Sequence, residues 1–137
     1  MRALWLCLSV SLATASLTPS AALAQHMNQS DAPCQNTGPN AATTQCFYEA
    51  FQAADRRLAA KVEEIDHVLD QQGRADLQAA QSAWLTYRDA TCSAEYHLYS
   101  GGSGGPMARS ACLEAQTRDR LADLQKTYGW RLEKVGR

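Results

Sequence analysis

Apolar residues recur at three- and four-residue steps from about residue 43 onward, and polar residues occupy the positions between them. In the first segment this apolar series consists of Cys46, Phe47, Ala50, Phe51, Ala54, Leu58, Val62, Ile65 and Leu69. Such spacing is typical of one face of an amphipathic helix, and the alternation of a strand fits it badly. Thr43 or Thr44 is a suitable N-cap, and Gly73 is suited to a positive-φ turn at the other end. The pattern therefore predicts a first helix over about residues 43–72.

A second segment of helical spacing, from about Asp76 to about Tyr99, carries the most regular stripe of the chain. The stripe contains Leu77, Gln81, Trp84, Arg88 and Cys92. A guanidinium one turn after an indole can stack on it, so we expect Trp84 and Arg88 to belong to the structural core; a ligand contact is the alternative. We also predict an ion pair between Arg88 and Asp55 of the first helix, which would set register more than it adds stability. This second helix is expected to be the central strut of the fold.

The glycine-rich segment SGGSGG, residues 100–105, predicts a flexible loop. Pro106 suits the first turn of a third helix over about residues 106–128, and Gly129 suits its end. One face of this helix would carry Leu113, Thr117, Leu121, Leu124 and Tyr128. The fold prediction is therefore all-α: a small three-helix antiparallel bundle over residues 43–129, with a C-terminal tail at 130–137.

The first 24 residues have the form of a secretory signal peptide. Met1 and Arg2 give a basic start, residues 3–17 are apolar and uncharged, and Ala22-Leu23-Ala24 has the small-x-small cleavage form. An uncleaved anchor helix is the alternative, but Pro19 interrupts the run and the run is short for a membrane span. We expect cleavage after Ala24, an irregular arm over residues 25–42, and a periplasmic or secreted protein without a membrane segment.

The charge balance narrows the classes of partner. The chain has 13 Lys and Arg against 14 Asp and Glu, for a net charge of −1, and shows no long basic run. Nucleic-acid binding requires clustered positive charge, so no nucleic-acid partner is expected. The pattern predicts no particular oligomeric state.

Four cysteines follow the signal segment: Cys34, Cys46, Cys92 and Cys112. An even number in a small exported domain predicts two disulfides. A metal site is the alternative, but there is no Cys-x-x-Cys, and the three histidines have no ligand spacing. Cys92 and Cys112 would each lie about 10 Å from the loop, level with each other in an antiparallel hairpin. This favours the pair Cys92–Cys112 and leaves Cys34–Cys46 to join the arm to the first helix; the other pairings would link more distant elements.

No motif of a catalytic site is present. The chain lacks Gly-x-Ser-x-Gly, His-Glu-x-x-His, a phosphate loop and a dinucleotide fingerprint. The carboxylate pairs Glu63–Glu64 and Asp66–Asp70 are expected on a solvated helix surface, without the desolvation that raises a catalytic pKa. We therefore predict a protein that is not an enzyme and binds no cofactor or metal.

An ordered series of motifs resembles a known family. It comprises Cys34, Cys46, AADRRL at 53–58, AQSAWLTYRDATC at 80–92, GGS at 101–103, Cys112 and TRDRLADL at 117–124. The series resembles the LprI-type family of exported bacterial proteins, a cysteine-containing helical domain whose members are mostly uncharacterised. The resemblance implies a binding protein that inhibits lysozyme by non-covalent occlusion of this glycan hydrolase. The alternative is a structural or protein-interaction module of the cell envelope without inhibitory activity.

For an inhibitor, the best candidate element is the segment 96–109 between the second and third helices; the alternative, which the sequence favours, is a flexible hairpin connection with no partner. The segment combines aromatic side chains and hydrogen-bond donors, namely Tyr96, His97, Tyr99, Ser103 and Arg109. Its glycines would permit close backbone approach to a partner. The expected partner is lysozyme or another envelope protein.

Overall fold

A computed structural model describes residues 26–38 and 40–135. Within these residues the chain forms a short 3-10 turn, His26–Asn28, and three α-helices: α1 (Asn40–Val68), α2 (Gln71–His97) and α3 (Gly104–Val135). No strand occurs in this part of the chain, so the all-α prediction is confirmed. None of the described helices is long and apolar enough to cross a membrane. The predicted signal peptide lies outside the described residues.

The helix directions follow from the side chains that meet. Arg88 contacts both Asp55 and Thr117 at one level of the bundle. Ile65, Leu77 and Leu124 share a buried cluster at another level. Because the residue number rises between these levels in α1 and α3 and falls in α2, the helices run up, down and up.

The first helix begins and ends earlier than its pattern predicted. It starts at Asn40, so Thr43 and Thr44 lie in its first turns, where the Thr44 hydroxyl donates to the Asn40 carbonyl at 2.7 Å. The prediction that either threonine is the N-cap is therefore wrong. The buried positions of α1 are the predicted ones: Phe47, Ala54, Leu58 and Ile65.

The connection between α1 and α2 is set by an aspartate and not by a glycine. The Asp70 carboxylate caps α2 by accepting a hydrogen bond from the Gly73 backbone N–H at 2.8 Å. Arg74 donates from Nη1 to the Leu69 carbonyl, which lies beyond the end of α1, at 2.7 Å. Gly73 consequently lies in the first turn of α2, and the predicted positive-φ turn at this residue is wrong.

The central helix is α3. It packs against α1, α2 and the 3-10 turn, whereas α1 and α2 barely meet. Its middle carries buried residues that are mostly small, including Ala108, Ala111, Ala115 and Thr117, and such side chains let neighbouring helices approach on more than one side. The prediction that α2 is the central strut is therefore wrong.

Both ends of α3 extend past the predicted bounds. Gly104 and Gly105 form its first turn, before Pro106, and the helix continues through Gly129 to Val135. A glycine in the interior of a helix destabilises it by only about 1 kcal/mol relative to alanine. The contacts of the neighbouring turns of α3 offset this cost. Residues 130–135 of the predicted tail are therefore helical.

The two disulfides are the predicted ones. Cys34 and Cys46 are joined with their Cα atoms 6.0 Å apart, and Cys92 and Cys112 with theirs 5.4 Å apart. The first bridge attaches the N-terminal arm to α1, and the arm also buries Ala32 and Cys34 against Phe47 and Ala111. The second bridge joins α2 to α3 and is fully buried.

Candidate functional site

The connection between α2 and α3 is a hydrogen-bonded turn over residues 98–103. The Gly102 backbone N–H donates to the Tyr99 carbonyl at 2.7 Å, and that of Gly105 donates to the Gly102 carbonyl at 3.1 Å. Ser100 and Gly101 adopt φ values of 47° and 80°, in the left-handed region that reverses the chain. Residues 98–103 thus form a compact turn, which begins and ends two residues earlier than the predicted loop over 100–105.

The two tyrosines of the candidate segment pack inward. A Cβ on Gly104 would lie 2.4 Å from Cδ1 of Tyr99, and one on Gly105 would lie 3.1 Å from Cδ2 of Tyr96. These glycines therefore make room for the rings of Tyr99 and Tyr96. This packing explains why glycine occupies both positions. Close approach of a partner to these glycines stays a prediction.

The other candidate residues of the segment reach solvent. His97, Ser103 and Arg109 are exposed, at the last residue of α2, in the turn and in the second turn of α3. Leu98 lies among them with 69% of its surface exposed. We refer to His97, Leu98, Ser103 and Arg109 as the hairpin tip. The sequence pattern did not single out Leu98, because it placed the end of the second helix at about Tyr99, whereas α2 ends at His97.

A disulfide and a contact with the N-terminal arm fix the helices next to the hairpin tip; we refer to these contacts as the base of the tip. Below the tip, the disulfide between Cys92 and Cys112 joins the two helices. The Nδ1 atom of His26 lies 2.6 Å from Oε1 of Glu95, an ion pair when the imidazole is protonated, and ties the N-terminal arm to α2. His26, Glu95 and the Cys112 sulfur lie within 4.8 Å of one another, but the sulfur is bonded to Cys92 and offers no thiolate to a metal.

The family model described as Lysozyme inhibitor LprI matches residues 30–124. The chain belongs to the LprI lysozyme inhibitor family. An uncharacterized protein of Rhizobium meliloti (strain 1021) is 39% identical over 77 residues, which make up 56% of this chain and 52% of that protein. The chain thus spans about half the length of this curated relative. No solved structure matches the chain.

The LprI match contains the hairpin tip and most of its base; only the contact of His26 with Glu95 begins outside the matched residues. The match includes both disulfides, all of α1 and α2, and α3 as far as Leu124. The remaining residues of α3, from 125 to 135, lie beyond the matched region. The hairpin tip is therefore part of the LprI domain itself.

Within the LprI domain, Arg88 joins all three helices. Its Nη1 atom donates to Asp55 Oδ1 of α1 at 3.1 Å and to Thr117 Oγ1 of α3 at 3.3 Å, and its Nε atom donates to Asp89 at 3.0 Å. The guanidinium also lies over the Trp84 ring, 5.0 Å from the centroid. Only 8% of the Arg88 side chain is exposed, so its donors face the protein interior and the contact is a structural one.

The N-terminal arm of the LprI domain is held by a second arginine. Arg118 donates from Nε to the buried Glu114 at 3.1 Å and from Nη1 to Asp31 at 2.5 Å. The hydrogen bond and charge of Arg118 hold the pKa of Asp31 below its ordinary value. Burial works to lower the pKa of Arg118, but the hydrogen bonds and charges of Asp31 and Glu114 together raise it. No local pattern signals this contact, because Asp31 and Arg118 are 87 residues apart.

Proposed function

We propose that this protein is an exported inhibitor that binds a lysozyme-type glycan hydrolase without covalent chemistry and occludes its cleft. Membership of the LprI lysozyme inhibitor family supports the class of partner. The observation that carries the proposal is the hairpin tip, which presents two basic side chains and an exposed leucine on a disulfide-stapled base.

The chemistry of the tip suits the cleft of such an enzyme. Lysozyme cleaves its glycan between one protonated and one ionised carboxyl group in an open cleft. Arg109 can donate two hydrogen bonds to a carboxylate, and His97 can donate at least one. Leu98, between the donors, supplies apolar area that is removed from water when the cleft closes over it.

The residues beneath the hairpin tip support tight binding because they order the tip before a partner binds. A loop that must be ordered on binding loses affinity, at about 0.5–1.5 kcal/mol for each immobilised side chain. Here the packing of Tyr96 and Tyr99 on glycines, together with the Cys92–Cys112 bridge, already orders the connection. The tip therefore enters a complex in the conformation it has in the free protein.

The test is lysis of a peptidoglycan suspension by lysozyme, titrated with the oxidised mature chain. We expect dose-dependent loss of lysis with the wild type. The double variant His97→Ala/Arg109→Ala should weaken inhibition by about tenfold or more, since charge-assisted hydrogen bonds are the stronger class. The matched control is His67→Ala/Arg57→Ala, which removes the same two residue types from the exposed surface of α1.

The contribution of the Cys92–Cys112 disulfide to inhibition is tested with Cys92→Ser/Cys112→Ser. A double variant is used because a reducing agent would also attack disulfides of the lysozyme. This variant should inhibit less than the wild type at equal concentration. Undiminished lysis with lysozymes of several types would contradict the inhibitor proposal and favour the envelope module. Equal losses in the tip variant and in its α1 control would remove the tip from the proposal.

A further inference from the structure

A groove of about 500 Å³ runs between α1 and α2. It exists because both helices pack on α3 and scarcely contact each other. Its apolar lining includes Leu58, Val62 and Leu85, and Leu85 keeps 40% of its surface exposed. The volume lies within the range of about 300–1,000 Å³ that ligand-binding clefts occupy.

The rim of the groove is acidic. Asp55, Glu63 and Asp66 line it along α1, and glutamines line it along α2. None of its lining residues is a lysine or an arginine. Asp55 already accepts from Arg88, whereas Glu63 lies 3.9 Å from the exposed His67. Glu63 and Asp66 are therefore the carboxylates most available to a cation from outside. The groove therefore combines apolar area with unbalanced negative charge.

The shape of the groove limits the kind of occupant. Its lining on α1 extends from Asp55 to Asp66, about three helical turns or roughly 16 Å. Both walls are α-helices, whose backbone groups are paired within each helix, so the groove offers side chains but no strand edge. An amphipathic helix, whose backbone groups are already paired, therefore fits these walls better than an extended strand.

We propose that this groove binds an amphipathic helix with lysine or arginine beside its apolar stripe, supplied by a partner protein. Apolar residues at helical spacing would contact Leu58, Val62 and Leu85, and the basic residues would pair with Glu63 and Asp66. The groove is separate from the hairpin tip, because Leu85 precedes His97 by twelve residues, or about 18 Å along α2. The proposal does not depend on lysozyme inhibition.

The experiment measures fluorescence anisotropy of a labelled synthetic peptide titrated with the full mature chain. The probe is a leucine–lysine peptide of about four helical turns with amphipathic spacing. A peptide of the same composition in scrambled order is the control ligand. The wild type should bind the amphipathic peptide and should bind the scrambled peptide at least about tenfold more weakly.

Charge reversal at the rim is the decisive variant. Glu63→Lys/Asp66→Lys should weaken binding at least about tenfold at low salt and less at high salt. Asp123→Lys/Glu133→Lys makes the same change in net charge on exposed positions of α3 outside the groove lining, and should bind like the wild type. Leu85→Ala keeps every charge and should weaken binding at all salt concentrations, which separates the apolar contribution.

Three results would overturn the proposal. The first is equal binding by the rim variant and the wild type, with circular dichroism showing both folded. The second is an equal loss in the α3 control, which would mean non-specific attraction to an acidic protein. The third is a wild-type dimer that the rim reversal converts to a monomer, which would identify a second copy of the chain as the occupant.

Discussion

Replacing Arg88 by alanine should be one of the most destabilising single changes in the bundle, and replacing its partner Asp55 should not. The two residues form the same 3.1 Å contact, but they differ in burial. The Arg88 side chain is 8% exposed, whereas that of Asp55 is 50% exposed. The consequences of removing one partner or the other therefore differ.

The magnitude follows from what each substitution leaves behind. Arg88→Ala removes guanidinium contacts with the rings of Trp84 and Phe51, each worth about 0.5–2 kcal/mol, and the packing of a buried stem. The carboxylates that it frees are half exposed and regain water, so they add little further cost. We expect a loss of about 2–4 kcal/mol in the free energy of unfolding. Asp55→Asn leaves Arg88 bonded to Asp89 and Thr117, and should cost about 1 kcal/mol or less.

The assay is urea unfolding of the oxidised protein at 25 °C, followed by circular dichroism and tryptophan fluorescence. Arg57→Ala, at an exposed position of α1, is the control and should stay within about 0.5 kcal/mol of the wild type. Equal costs for Arg88→Ala and Asp55→Asn would refute the reasoning from burial. So would an Arg88→Ala variant less than about 1 kcal/mol below the wild type, since the stacking contacts would then contribute nothing.

Two further predictions concern the arm and the last helix. Because the Arg118 hydrogen bond lowers the pKa of Asp31 from its ordinary 3.8, the contact stabilises the folded arm fully above that pH and is lost as the pH falls through the lower, folded value. A carboxyl NMR titration should show Asp31 below 3.8, and Asp31→Asn should abolish the acid-dependent loss of the stabilisation that this contact provides; titration at or above 3.8 would contradict this. Gly129→Ala should raise the free energy of unfolding by about 1 kcal/mol in urea, because the residue lies inside α3 and a Cβ there meets no atom within 4 Å; a loss of stability would contradict it.

Local geometry accounts for what the sequence pattern predicted well. The apolar stripes of α1 and α2 contain the residues that are buried, and Arg88 lies over Trp84 as one helical turn requires. The disulfide between Cys92 and Cys112 followed from their equal distance to a hairpin turn, which depends only on the rise per residue. The Arg88–Asp55 contact followed because each residue sits beside an apolar stripe that faces a neighbouring helix.

Helix ends were predicted less well, because more than one residue near each boundary could cap or end the helix. Gly73 and Asp70 both lie near the end of α1, and the carboxylate of Asp70 decides the boundary by capping α2. Gly129 resembles a helix stop in the sequence, yet the apolar face of α3 continues from Tyr128 across it to Leu132. Both side chains pack against the buried cluster that contains Ile65 and Leu124. The glycine is therefore retained inside the helix.

Spacing within tens of residues was enough to predict three helices, the buried faces of α1 and α2, and both disulfide pairs. The burial of α3 around residues 111–115, its central place, the attachment of the arm at Glu95 and Arg118, and the acidic groove between α1 and α2 emerged only from the packing of the helices. So did the packing of Tyr96 and Tyr99 on the glycines of α3, while Leu98 reaches solvent. These features depend on contacts between helices that are distant in sequence. The spacing of apolar residues shows which face of a helix is buried, but not which other helix packs against that face.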